Sequence, residues 1–411
     1  MRRFVAIFLL ATAALPLAAQ SRDDWVQIRK GEYLARVGNC VSCHTVMGGQ
    51  PFAGGVAFPT SFGTVYSTNI TPDRNTGIGA WTLADFSAAL RNGVRPDGQH
   101  LYPAFPYTEL TKLTDDDVAA LYAYFMKLEP VASPSKANDM KFPFGQRGLL
   151  GVWKAMFFTE GRYENDSVRS AQWNRGAYLV QGLAHCGSCH SPRNLLGATR
   201  TSQAFTGGIL EQPLDDGERD VTRGAPNITQ SLHGLAAWSE DDIAGYLKEG
   251  VSSRARLMGT MNEVVLNSTR YMKDEDLRAM AVYLKSLPAS DGDAGKPASE
   301  TMQLGARQYD IHCGTCHMPT GLGSADTAPP LRGSAFAQAP DPSSLIDLVM
   351  NGPRVPPVTP SEAYGKRPWT SMEPFFEKLS DEEAAALFTY VRNSWGNGAG
   401  EVSPGQVGAL R

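Results

Sequence analysis

The chain has 411 residues, 42% of them hydrophobic and 19% charged, which is enough for two to four folded domains and excludes wholesale disorder. A formal charge of −4 gives no sign of a nucleic-acid surface or a polybasic membrane patch. With 41 glycines and 27 prolines, long loops are expected between the elements.

The first element is "MRRFVAIFLLATAALPLAAQ". Arg2 and Arg3 precede an apolar run, and small residues near Ala18–Ala19 offer a cleavage site, so residues 1–19 are predicted to be an export signal. The alternative, a retained anchor, is disfavoured because the run is short and Pro16 interrupts its end. The mature chain is then expected in the periplasm, soluble or attached peripherally to the periplasmic face of the inner membrane. The next most apolar stretch, "LLGVWKAMFF" (149–158), is too short to span a bilayer and carries Lys154.

Six cysteines follow in three pairs: "CVSCH" (Cys40, Cys43, His44), "CGSCH" (Cys186, Cys189, His190) and "CGTCH" (Cys313, Cys316, His317). An exported chain with six cysteines usually suggests disulfides, but here every cysteine belongs to a C-x-x-C-H motif. Two thiols at that spacing reach the two vinyl groups of one porphyrin, and the next residue offers its imidazole to the iron. Three covalently bound haem c groups are predicted.

The repeat extends beyond the cysteines. A helical stretch precedes each motif ("GEYLARVGNC", "GAYLVQGLAHC", "GARQYDIHC"), and an amphipathic helix with an acidic first turn closes each copy: "LTDDDVAALYAYFMKL", "MKDEDLRAMAVYLKSL" and "LSDEEAAALFTYVRNS". Thr114 and Ser380 are placed to cap two of these helices, whereas Lys273 replaces the cap in the second copy. Small residues Gly31, Gly176 and Gly305 would let the first and last helices of a copy cross closely. "STNITPDRNTGIGAWTLADF" also aligns with "APNITQSLHGLAAWSEDDI", pairing Asn69 with Asn227 and Trp81 with Trp238. The two tryptophans read as core packing or as neighbours of haem propionates. In the third copy "APPLRG" (328–333) takes this place, and a proline carbonyl there is expected to orient the proximal histidine.

The helix pairs match the small cytochrome c fold, so the fold class is all-α: three tandem class I-like cytochrome c domains joined by long Pro/Gly-rich loops. The limits are 25–130 for domain 1, 131–168 for a linker, 169–288 for domain 2, 289–300 for a second linker, 301–396 for domain 3 and 397–411 for an irregular tail.

A methionine thioether is the expected sixth ligand of an electron-carrying haem. Position selects Met372, in "TSMEPF" before the last helix, and Met261, in "GTMNEVV", with Met258 its near rival. The matching slot of the first copy, in "GQHLYPAFPY", is Phe105, which cannot bind iron. Met126 aligns with Lys285 and Arg392, read as solvent-facing positions, and Met47 lies too near His44. His100 is therefore the candidate for the first haem; the opposing reading leaves it a loop residue and the haem open.

With three C-x-x-C-H motifs, "STNITPD", "GIGAWT", "LYPAFPY" and "VRNSWGN", the chain resembles the tri-haem cytochrome c subunit of bacterial membrane-bound dehydrogenases for alcohol, gluconate, sorbitol, fructose and aldehydes, and of some molybdenum hydroxylases. The resemblance covers nearly the whole mature chain. It implies an electron-transfer subunit with no substrate chemistry of its own. Electrons would come from a catalytic dehydrogenase subunit carrying flavin, pyrroloquinoline quinone (PQQ) or molybdopterin, and pass to ubiquinone, a terminal oxidase or another cytochrome. Many relatives read P-A-M-P-Y where this chain has Pro103 to Tyr107, so their first axial methionine does not carry over. Two other readings stay open here: a peroxidase-like enzyme with an open first haem, and a stand-alone shuttle cytochrome.

Overall fold

Helix α1 (Ala14–Val37) runs directly into the first cysteine motif, whose residues form the short helix α2 (Cys40–His44). The computed structural model describes residues 14–213, 220–257, 259–290, 295–324, 327–352 and 372–411; most of the expected export signal, and Met258, lie outside them. After α2 come β1 (Ala57–Thr60), β2 (Gly63–Tyr66), α3 (Leu83–Asn92), the single turn α4 (Tyr107–Leu110) and α5 (Asp115–Phe125). β3 (Asp139–Met140) joins the β1–β2 hairpin antiparallel to β2, pairing Gly63 with Met140, and α6 (Leu149–Phe157) lies beyond it.

The second copy starts with α7 (Ala171–Tyr178), prolonged by a π-helical turn over Leu179–Leu183, then α8 (Gly187–His190). An antiparallel pair, β4 (Gly208–Pro213) and β5 (Asp220–Ala225), precedes α9 (Glu240–Glu249), α10 (Met261–Asn267) and α11 (Asp274–Ser286). The third copy contains α12 (Ser299–His312), α13 (Gly314–His317), α14 (Ser343–Asn351), α15 (Asp381–Asn393) and α16 (Pro404–Gly408). The chain is mostly helical, but the two small sheets depart from the all-α expectation. Their strands are short and lie inside the long loops, where no sustained alternation of polar and apolar residues announces them.

Capping follows the sequence. Thr114 accepts a hydrogen bond from the Asp117 amide, Ser380 and Glu383 form a complete capping box, and Lys273 gives α11 no side-chain cap. The glycines then set the helix crossings. A Cβ added to Gly31 would stand 1.9 Å from the Ala120 carbonyl oxygen, one on Gly176 1.9 Å from that of Ala279, and one on Gly305 2.1 Å from that of Ala386. Only hydrogen fits, so α1 crosses α5, α7 crosses α11 and α12 crosses α15 at the same point.

The first two copies share one continuous apolar core, which includes Leu34, Leu121, Tyr178, Leu179, Met280 and Leu284. Two tyrosines at equivalent positions are exchanged across it. Tyr33 of α1 donates to Asp276 of α11 (2.6 Å), and Tyr178 of α7 donates to Asp117 of α5. Each aspartate also has a cation from its own copy: Lys30 on Asp117 at 2.6 Å, and Arg175 bidentate on Asp276 at 2.7 Å. The third copy has Arg307 at the tyrosine position and builds a separate core around Tyr309, Ile346, Leu387 and Phe388. It meets the second copy at β5 and α14, where Arg223 pairs with Asp347 and Ser344 donates to the Gly224 carbonyl.

Two further expectations need correction. The 397–411 tail is folded: Ser403 and Gln406 box the start of α16, Val402 and Val407 are buried in the third core, and the Arg411 guanidinium holds the Leu379 carbonyl at 2.7 Å. Arg392 does not face solvent either. It is fully buried, because its guanidinium donates to the carbonyls of Ala337 (2.9 Å), Ala339 (2.9 Å) and Gly400 (3.0 Å). Met126, set aside by analogy with it, is half-buried against the main core.

Candidate functional site

Each cysteine motif forms one short helical turn that ends at its histidine, and none of the six cysteines is in a disulfide. The three histidines repeat one hydrogen bond. Nδ1–H donates to the Thr68 carbonyl from His44 (2.7 Å), to that of Pro226 from His190 (2.8 Å) and to that of Pro329 from His317 (2.9 Å). Thr68, Pro226 and Pro329 occupy the same position of the repeat. A carbonyl only accepts, so Nδ1 carries the proton and Nε2 keeps its lone pair for a metal. Burial lowers the pKa of all three imidazoles despite the carbonyl bond, favouring the neutral, ligating form.

The carbonyl straps are themselves fixed. Asn69 accepts from the Thr71 amide at 2.9 Å and donates to the Val131 carbonyl at 2.7 Å; Asn227 accepts from the Thr229 amide at 2.8 Å and donates to the Ser290 carbonyl at 3.2 Å. Each asparagine ties its strap to the chain just after that copy's last helix. In the third copy Asn397, from the tail, donates to the Leu331 carbonyl at 3.0 Å. The signal for the first two was present as an aligned Asn-x-Thr, but alignment alone did not reveal its use.

Among the described residues no three His, Cys, Asp or Glu side chains converge on one point. Burial pushes the Cys40, Cys186 and Cys313 thiols up to about 12, so they are not the low-pKa thiolates of redox catalysis. A covalently held porphyrin fits this donor set: two cysteines and one oriented imidazole per motif. Three buried donors in the second copy, Trp238 Nε1, Gln230 Nε2 and Arg254 Nε, have no protein partner and suit acidic groups such as propionates.

The first two motifs adjoin. His185, beside Cys186, places Nε2 3.2 Å from the Gly38 carbonyl; Asn267 of α10 donates to Ser42 (2.8 Å), and Ser268 donates to the Val37 carbonyl (3.0 Å). Burial, and then the nearness of Cys189, pushes the Cys43 thiol up to about 11.

The candidate sixth ligands sit as follows. Met261 opens α10, half-buried against Leu257 and Val265, and Met372 is half-buried against the third core. Phe105 packs on the main core, and Met47 is 91% exposed. The His100 ring faces α6: Nδ1 accepts from Lys154 at 3.0 Å, and Nε2 lies 3.2 Å from where a Gly151 Cβ would stand.

The family profile for cytochrome c matches residues 28–129 and 302–395. Over 99% of its length the chain is 40% identical to the cytochrome c subunit of a quinone alcohol dehydrogenase from Gluconobacter oxydans, covering 86% of that protein. It is 36% identical to the cytochrome c subunit of gluconate 2-dehydrogenase from Pantoea cypripedii, over 100% of this chain and 95% of that one. The cytochrome subunit of fructose dehydrogenase from Gluconobacter japonicus is 38% identical, over 93% of this chain and 82% of its own.

Proposed function

The chain belongs to the cytochrome c subunits of alcohol, gluconate and fructose dehydrogenase complexes, and from that membership we propose a three-haem electron conduit built from three tandem domains, 25–130, 169–288 and 301–396. It binds haem c covalently and transfers electrons, while a catalytic dehydrogenase subunit oxidises the substrate. Bound haem c supplies reversible one-electron chemistry. The chain supplies the rest. Cys40 and Cys43, Cys186 and Cys189, and Cys313 and Cys316 anchor the three groups, and His44, His190 and His317 present Nε2 to them. The single observation behind the count of three is the same histidine-to-carbonyl bond in every copy.

In this reading Met261 and Met372 would supply thioether sulfur to the second and third haems. At the first, Phe105 occupies the methionine slot, and both ring nitrogens of His100 are turned to α6, Nδ1 on Lys154 and Nε2 against Gly151. That placement favours a structural part for His100 over the ligand role suggested by its position in the first copy, leaving the first site open or closed from elsewhere. The first two cysteine motifs adjoin, so groups held there would lie in neighbouring sites.

The partner's cofactor is of the flavin, PQQ or molybdopterin class, and the acceptor is ubiquinone, a terminal oxidase or another cytochrome. In this reading residues 1–19 direct export, and the mature subunit works in the periplasm, free or attached to the periplasmic face of the inner membrane. Purification from the native host tests the reading. Intact mass and haem staining should show three haems, one fewer in each of Cys40→Ala, Cys186→Ala and Cys313→Ala, with a dehydrogenase chain co-eluting. Fewer than three in the unsubstituted chain, or elution alone, would overturn it.

A further inference from the structure

The segment before the last helix is built alike in the first and third copies. Leu113 and Leu379 are both buried, and each stands directly before the capping residue, Thr114 or Ser380. A turn of chain precedes each: the Leu113 amide donates to the Leu110 carbonyl at 3.0 Å, and the Leu379 amide to that of Phe375 at 3.3 Å. Phe105 stands before the first turn and Met372 before the second. Where the third copy offers a thioether, the first offers a phenyl ring packed on the main core.

That ring is locked in place. Pro103 and Pro106 restrict the backbone on either side. The Phe105 amide donates to the Tyr102 carbonyl at 3.0 Å, and the Phe105 carbonyl accepts from the Tyr107 amide at 2.8 Å. Both tyrosines are buried, and the Tyr102 hydroxyl donates to the Phe144 carbonyl at 3.1 Å. No neighbouring residue turns into the slot without undoing these contacts.

The other ligand types of the first copy are held elsewhere. Its one imidazole besides that of His44 belongs to His100, and its methionines are Met47 and Met126. His100 bridges to Val94 through the backbone, its carbonyl accepts from Arg147 at 2.7 Å, and its Nδ1 accepts from buried Lys154 at 3.0 Å. Met126 sits at the C-terminal end of α5, about 16 Å along the axis from the end that the Phe105 segment enters. Met47 follows His44 by three residues and points into solvent.

An iron with one imidazole and no protein ligand opposite it takes a ligand from outside, and the polarity of the lining decides which. A phenyl ring donates no hydrogen bond, so an anion gains nothing from it, whereas a neutral diatomic molecule needs no such partner. His100, the one group of the copy placed by type to move a proton for peroxide chemistry, has its Nδ1 engaged by Lys154. The arrangement suits binding rather than turnover.

We propose that the first haem of this chain has His44 as its only protein ligand and binds a neutral diatomic gas, carbon monoxide or nitric oxide, on the side of Phe105. This rests on the three-haem reading above, and the haem count is taken on the same sample so that the two fail separately.

The test uses the mature, haem-loaded full chain, with haems counted by intact mass and carbon monoxide as the probe. The reduced protein should bind one carbon monoxide per chain, and one ferric haem of the three should be high-spin. Phe105→Met should weaken the binding at least tenfold and turn that haem low-spin. Phe105→Leu, which adds no ligand, should leave both as they were. Cys40→Ala/Cys43→Ala, which removes the first haem, should remove the binding, and it serves if Phe105→Met folds poorly. Three haems of which none binds carbon monoxide overturn the proposal alone; a chain that never carries the first haem overturns the reading above as well. Binding that survives Cys40→Ala/Cys43→Ala belongs to another haem and overturns it too. So does a tenfold gain in His100→Ala or Met126→Leu, which would unmask that residue as a ligand the gas had to displace.

Discussion

His100 and Lys154 are the residues whose environment most changes what they can do. Burial, and then the charge of Lys154, holds the His100 imidazole below its usual pKa, and burial lowers Lys154 to about 8. Both are therefore less protonated folded than unfolded. In each window the unfolded chain binds more protons, so stability rises with pH: for His100 up to about 6.5, for Lys154 from about 8 to about 10.5. Comparing urea midpoints of the natural chain and Lys154→Met across pH should show the upper rise in the former and its loss in the latter. His100→Ala should cost about 1 kcal/mol, the worth of one hydrogen bond, and leave the ferric haem spectrum unchanged. Conversion of one haem from low to high spin would instead make His100 its ligand. At the other two sites Met261→Leu and Met372→Leu should each move one redox wave to lower potential and weaken the sulfur-to-iron absorption band. A Met261→Leu protein with all waves in place would turn attention to Met258.

The three helix crossings depend on one atom each. Gly176→Ala puts a methyl 1.9 Å from the Ala279 carbonyl oxygen, where backbone rather than a flexible side chain must yield, at a cost of about 3 kcal/mol. Thermal unfolding followed in the haem absorption measures it, and a loss under about 1 kcal/mol would mean that the crossing can open. These crossings were legible in the sequence because helix periodicity, acidic first turns and an aligned glycine all point the same way. The cysteine motifs were legible for a similar reason: their chemistry is fixed by spacing. The β hairpins were not, being short strands without alternation. The orientation of α6 was not either, since the carbonyls that receive Lys154 come from Asn92 and Gly93, far away in the chain. For α16 the signal existed, Ser403-Pro404-Gly405-Gln406 being a capping box with proline at its first turn, but a brief element with few apolar residues is easily passed over. The reading of Met126 failed because Arg392, its aligned counterpart, is buried by bonds to carbonyls that sequence does not show.

At the scale of the whole molecule, the first two copies have one core and the third its own, so they should not melt together. Calorimetry of the full chain is expected to show two transitions, the larger from the first two copies. Tyr33→Phe and Tyr178→Phe each remove a hydrogen bond to a carboxylate and should each cost about 1.5–3 kcal/mol, lowering only the larger transition. A single transition, or one that moves as a whole, would show the third copy to be thermodynamically fused to the rest. The exchange of tyrosines between these copies has a further consequence. Each gives a hydroxyl to the carboxylate the other presents at the matching place, which is the self-complementary contact of a two-fold dimer written into one polypeptide. Such a contact closes on itself: once both halves are engaged, neither is left to receive another unit. A third copy could be added only by a different surface, as it is here through Arg223 and Asp347, with Arg307 in the tyrosine's place. The tyrosine contact cannot propagate, so the pair grows an appendage instead of becoming a filament.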